Sequence, residues 1–219
     1  MLRRILHELK AHAPFTAIGA VTGIIIMVVI LITDVPASVS EAIFYTLHPL
    51  HVVLSALVTT AIYIRYSRGR LWAAVLIGYL GSVGIATLSD AVIPYLEGTA
   101  FNISLGFHLP FIETEAFPYL GVPKWVVINA AAAIGIAIGY WKQVTKIPHT
   151  GHVLLSTWAS LFYFTAFGTA SWVPLLPLIF VFLFLAVWIP CCLSDVVFPL
   201  LFIRKVADGQ DMPYTSHHH

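Results

Sequence analysis

Six stretches of about 20 mostly apolar residues decide what this chain can become. A run of that length crosses the hydrocarbon of a bilayer as a helix, because a helix satisfies its own backbone hydrogen bonds where no water can. The predicted spans are 14–33, 41–64, 71–96, 123–141, 148–171 and 173–203, each broken from the next by proline, charge or a polar turn. Composition agrees: 59% of the chain is apolar and 10% charged, against roughly 25% charged in soluble domains. The fold class expected is an all-α integral membrane protein.

Lysine and arginine placement sets the orientation. With six spans, the N-terminus, the loops after the second and fourth spans and the C-terminus share one side. That side carries Arg3, Arg4, Lys10, Arg65, Arg68, Arg70, Lys142, Lys146, Arg204 and Lys205, and the other carries Lys124. Both termini are therefore expected in the cytoplasm. Met1–His12 is a basic, amphipathic lead-in to a full span without a small-residue cleavage site, so no cleavable signal is expected. The closing Ser216–His219 reads as the remnant of a purification tag.

Inside these apolar spans a polar motif is written twice. His48, His51 and Ser55 recur as His149, His152 and Ser156 at an offset of 101. Leu88-Ser89-Asp90 with Pro94 recurs as Leu193-Ser194-Asp195 with Pro199 at an offset of 105. Each copy falls in a unit of three spans, an odd number, so the two units run oppositely through the bilayer. The expectation is an inverted repeat: 1–96 as the N-terminal three-helix repeat, 97–122 as an extracytoplasmic loop or lid, 123–205 as the C-terminal three-helix repeat, and 206–219 as a tail. The duplication rests on the second and third spans of each unit; the first spans match only in being apolar.

Histidines three apart share one helix face, and two imidazoles one turn apart can chelate an ion. A helical hairpin brings Asp90 to the depth of His48 and His51. Two histidines, a carboxylate and an open position suit zinc or another borderline divalent metal. His149, His152 and Asp195 form the same set in the second unit. The inverted topology predicts the first set near the outer face and the second near the inner face, with no ligand shared between them. Pro94 and Pro199 remove the N–H that would bond the carbonyls of Asp90 and Asp195, so a kink is expected at each aspartate. On the outer loop, His108, Glu113 or Glu115 could complete the first site. Cys191 or Cys192 could add a soft ligand to the second. Ionisable residues are expensive in hydrocarbon, which weights a duplicated set toward function over helix packing.

Three functions follow. The first is transport of a divalent metal, zinc foremost, or of coupled protons, through two symmetry-related sites. The second is a membrane-embedded, zinc-dependent hydrolase acting on a lipid-like substrate, with Glu113 or Glu115 as general base. Histidine, aspartate and serine around zinc are similar in composition to the membrane hydrolases of the alkaline ceramidase and adiponectin receptor superfamily. Those are seven-helix bundles with a different histidine spacing, and no residue of theirs is carried over. The third is a scaffold with structural metals. Expected partners are the lipid bilayer and a metal ion or small substrate; self-association is left open. No phosphate-cradling glycine loop, CxxC motif or basic nucleic-acid patch is present.

Overall fold

The structure is a computed structural model that describes residues 2–67, 70–142, 146–168, 173–192 and 197–202. It is all-α. Helix α1 is Leu2–Ile32 and α2 is Ala37–Ser67. Helix α3, Leu71–Ala100, runs on through two π-turns, Leu80–Gly84 and Leu88–Val92. Helix α4 is Lys124–Lys142 and α5 is Lys146–Phe167. A 3₁₀ turn, Val173–Leu175, leads into α6, Leu176–Cys192, and α7 is the short Phe198–Leu201.

Four of these helices are long and apolar enough to cross a membrane: Ala13–Ile32, Ala37–Ser67, Leu71–Ala100 and Lys124–Lys142; the apolar Leu176–Cys191 is shorter. Their outward faces are as apolar as their interiors. Ile18, Val21, Ile25, Val29 and Ile32 form an exposed stripe along α1, and Trp72, Val75, Leu76 and Leu80 continue such a surface on α3. The buried set, by contrast, includes histidines, serines, threonines and an aspartate. Water would not tolerate exposed apolar surface on this scale, whereas lipid does. The chain is an integral, multi-pass membrane protein.

Local chemistry sets the helix ends. Asp34, at φ 52°, closes α1 in the left-handed conformation that aspartate tolerates. Val35 N–H then bonds Ile30 C=O at 3.1 Å and Asp34 N–H bonds Leu31 C=O at 3.3 Å, a Schellman pair. Pro36 follows and α2 begins. The end of α3 repeats the device: Asn102 sits at φ 55°, and Ile103 N–H bonds Gly98 C=O at 2.8 Å. The third helix thus runs past the sequence-predicted end at Leu96 to Ala100, because Asn102 supplies its cap.

Helices α2 and α5 form the centre, crossing antiparallel. Phe44 of α2 packs on Tyr163 and Phe167 of α5, while His51, two turns further along α2, packs on His152, nearer the start of α5. Helix α4 lies along α2, and α1 lies along α5. Both contacts are close ones made by glycine. A Cβ at Gly135 or Gly139 of α4 would strike the backbone carbonyls of Val53 and Leu57. A Cβ at Gly19 of α1 would press on Leu154 and Thr157, and one at Gly23 would collide with Leu161 and crowd Trp158. Small residues four apart let helix backbones approach in lipid, where packing replaces the hydrophobic drive.

Candidate metal centre

The lower half of α2 and the second π-turn of α3 build the centre. His48 and His51 sit on one face of α2, with Pro49 between them inside the helix. Asp90 lies in the middle of the π-turn Leu88–Val92, with Pro94 just beyond. At Asp90 the helix is locally widened into the π-turn, which re-aims a side chain while keeping the backbone helical.

Asp90 is the hub. Its Oδ2 accepts hydrogen bonds from His48 Nδ1 at 2.9 Å and His51 Nδ1 at 2.7 Å. Its Oδ1 accepts from Ser89 Oγ at 2.8 Å and Ser156 Oγ at 2.7 Å. Ser160 braces the second pair, donating to the carbonyls of Ser89 at 3.0 Å and Ser156 at 2.8 Å. An ionised carboxylate only accepts, so both Nδ1 atoms carry protons. In the neutral form of either imidazole the lone pair then lies at Nε2, the arrangement found where a carboxylate orients histidine ligands. His48 Nε2 is buried and, among the described residues, has no protein hydrogen-bond partner. All these groups lie in the interior.

The second copy of the motif comes to the same place. The rings of His51 and His152 stack with centroids 5.7 Å apart and planes 14° apart. Ligand atoms of His51, His152 and the buried Cys191 all lie within 4.8 Å of one another. Tetrahedral zinc, with bonds of about 2.0–2.3 Å, holds its donors roughly 3.5 Å apart, so an ion would draw these three in by about an ångström. The donor types suit a borderline or soft divalent ion.

This departs from the sequence expectation of two separate sites near opposite faces. The reason is depth. Helix α2 begins at Ala37, which sets His51 about 21 Å along it at 1.5 Å per residue. It therefore stands in the middle of the helix, where α5 crosses. His152 is brought into that crossing. Asp195 lies outside the described residues, as does the side chain of His149.

The outer loop residues form a different cluster. Glu113 Oε1 accepts from Leu109 N–H at 2.7 Å and from His108 Nδ1 at 3.2 Å; its Oε2 accepts from Tyr45 OH at 2.9 Å and lies 3.1 Å from Lys124 Nζ. Lys124 Nζ also pairs with Glu115 at 2.8 Å and approaches Glu41 at 4.0 Å. Burial pushes the Glu113 carboxyl up. The hydrogen bonds from His108, Tyr45 and Lys124, together with the lysine charge, outweigh it and hold the group down at about 2. Phe44 and Phe167 stand between this cluster and the centre: His108 packs on Phe167 at 4.1 Å, Phe167 on Phe44 at 5.5 Å, and Phe44 stacks on His48 at 5.6 Å.

Sequence reasoning did not find Ser160 or Lys124. Lys124 carried a signal, as the lone basic residue on a side bearing Glu41, Glu113 and Glu115. Ser160 carried none beyond standing one turn after Ser156. The chain matches no protein-family model, no curated protein and no solved structure. Fold and clusters together give a multi-pass helical membrane protein of metal-binding character.

Proposed function

We propose that this protein moves a divalent transition metal, zinc foremost, across the membrane through one central site shared by two inverted three-helix repeats. The observation that carries the reading is the meeting of His51 with His152. These are equivalent positions of a duplicated motif, stacked at the crossing of antiparallel helices with Cys191 alongside. Sites of this kind, at the bilayer midplane between inverted repeats, suit alternating access. The ion is cargo, held by Nε2 of the histidines, with Asp90 as the carboxylate that orients them. His149 and Asp195 would complete the second half.

The glycine contacts support the repeat. Gly135 and Gly139 on α4 meet Val53 and Leu57, and Gly19 and Gly23 on α1 meet Leu154 and Trp158. Leu154 and Trp158 stand 101 positions after Val53 and Leu57, the offset of the histidine motif. The first helix of each half therefore packs on the second helix of the other in the same register. The distribution of basic residues supports cytoplasmic termini.

Hydrolysis is the less favoured reading. Glu113 and Glu115, its proposed bases, are engaged with Lys124, and Glu113 lies across the aromatic side chains from the histidines.

The test begins with elemental analysis of purified protein after removal of His217–His219. About one zinc or similar ion per chain is expected, falling to background in both His51→Ala and His152→Ala. Zinc uptake into proteoliposomes should fall in parallel. Wild-type protein without metal would sink the reading; loss of metal in only one of the two variants would sink the shared site.

A further inference from the structure

We propose that Glu97 is a proton-binding carboxyl that exchanges its proton against metal occupancy of the centre. This inference rests on the transport reading above. Glu97 is 2% exposed, and neither carboxyl oxygen has a protein hydrogen-bond partner among the described residues. It stands seven residues after Asp90 on the same helix, about 10 Å further along it at 1.5 Å per residue. Asp90 has a donor for each lone pair, whereas Glu97 has none.

Among the described residues, no hydrogen bond or ion pair joins Glu97 to a cation. Helices α5 and α6 pack against this end of α3. On the second half of α5 the ionisable residue is Tyr163, whose hydroxyl donates to Gly106 C=O at 2.6 Å. Helix α6 carries no charged residue from Leu176 to Cys192. On α3 itself the ionisable groups are Tyr95 and Asp90. The loop contributes His108 and Glu113, which are paired with one another. Beyond Gly98 the chain turns back, and Leu105 packs onto Gly98 and covers the site. A carboxylate left ionised here would be a buried, unpaired charge. The group is therefore held as the neutral acid.

That state is informative beside a metal site. A divalent ion arriving among the histidines raises the local positive potential and favours the carboxylate. The O–H bond of Glu97 then breaks, the electron pair stays on the carboxylate, and the proton leaves to the outer aqueous side. When the metal departs to the opposite side, a proton returns from that side, so that one proton crosses against each ion. Nothing is oxidised or reduced; one proton is exchanged per ion. A metal ligand role fits less well, because among the described residues Glu97 joins no cluster of histidine, cysteine or carboxylate donors. Buried hydroxyls of Thr59, Thr60 and Thr87 that also have no protein hydrogen-bond partner continue the polar line past the centre along the α2–α3 interface. Groups of this type inside a membrane mark ion and proton paths. At the offset of the second duplicated motif, the counterpart of Glu97 is Phe202, so the exchange acts on one half alone.

The experiment compares wild type with Glu97→Gln, which keeps the shape of the neutral acid, and with Glu97→Asp. Size-exclusion profile and zinc content at saturating zinc should match across all three, with a weaker zinc affinity in Glu97→Gln, because proton and metal binding are reciprocally linked. Infrared spectra at neutral pH should show a protonated-carboxyl stretch in wild type that Glu97→Gln lacks. In zinc-driven proteoliposomes containing a pH-sensitive dye, proton counterflow should accompany zinc in wild type, disappear in Glu97→Gln and return in part in Glu97→Asp. An infrared band that survives in Glu97→Gln overturns the proposal, as does undiminished proton counterflow in that variant. Absence of bound zinc in wild type instead sinks the metal reading. The infrared band needs no metal, which keeps the two failures distinct.

Discussion

Asp90 accepts four hydrogen bonds from groups that can all donate, so its replacement is a sharper test than loss of a single contact. In Asp90→Asn one oxygen becomes an NH₂ facing two donors. The two serine hydroxyls or the two imidazoles must then reverse their hydrogen bonds to accept from it, and the carboxylate charge that all four groups face is lost. The expected cost is about 1–3 kcal/mol, read as an earlier thermal transition in detergent together with loss of bound metal. An unchanged transition and full metal content would remove Asp90 from its central position. Glu113 offers a pH test. Its pKa lies near 2 in the folded protein against an ordinary 4.5. The carboxylate is favoured by the fold, so its stabilisation is fully present above pH 4.5 and is lost as pH falls toward 2. Protection of the Leu109 amide, which Glu113 holds, measured relative to the intrinsic exchange rate at each pH, should fall across that window, and Glu113→Gln should abolish the step. The chemistry of both carboxylates was partly legible beforehand. Asp90 could be paired with His48 and His51 from spacing alone. Ser156 could be seen as a repeated serine, but its reach to Asp90 could not, because that contact joins helices 66 residues apart in the chain.

At the level of helices, hydropathy located four helices long and apolar enough to span a membrane, but misplaced the centre. The reading that started the second helix at Glu41 put His48 near its outer end. The added turn from Ala37, and the crossing of α5 at mid-helix, bring the two histidine motifs together. Depth in a bundle depends on where helices cross, and no local residue pattern records a crossing. The π-turn at Asp90 was equally hidden: Pro94 signals a disturbed helix without saying whether it bends or widens. The glycines, in contrast, were readable. Gly19 with Gly23 and Gly135 with Gly139 have the same spacing, a match between α1 and α4 beyond their general apolarity. Gly139→Leu should force α4 from the Leu57 backbone, at a cost of about 1–3 kcal/mol from overpacking. Gly23→Leu should do the same between α1 and α5. Both are measurable as lowered melting in detergent. If Gly139→Leu melts as wild type does, the close approach of α4 to α2 is wrong.

For the whole molecule, the outer Glu113–Lys124 cluster and the inner histidine centre are two separate polar systems with Phe44 and Phe167 between them. The first of them ties the loop to α2 and α4 through Tyr45 and Lys124. The proposed duplication also has a historical consequence. A single three-helix unit able to insert in either orientation would pair with an inverted copy of itself and set its own histidine against that copy's histidine. Joining two such units in one chain fixes one of each orientation and guarantees a complete crossing in every molecule. It also releases each half from having to serve in both directions. Glu97 in one half, opposite Phe202 in the other, is the kind of difference that only a fused pair can accumulate.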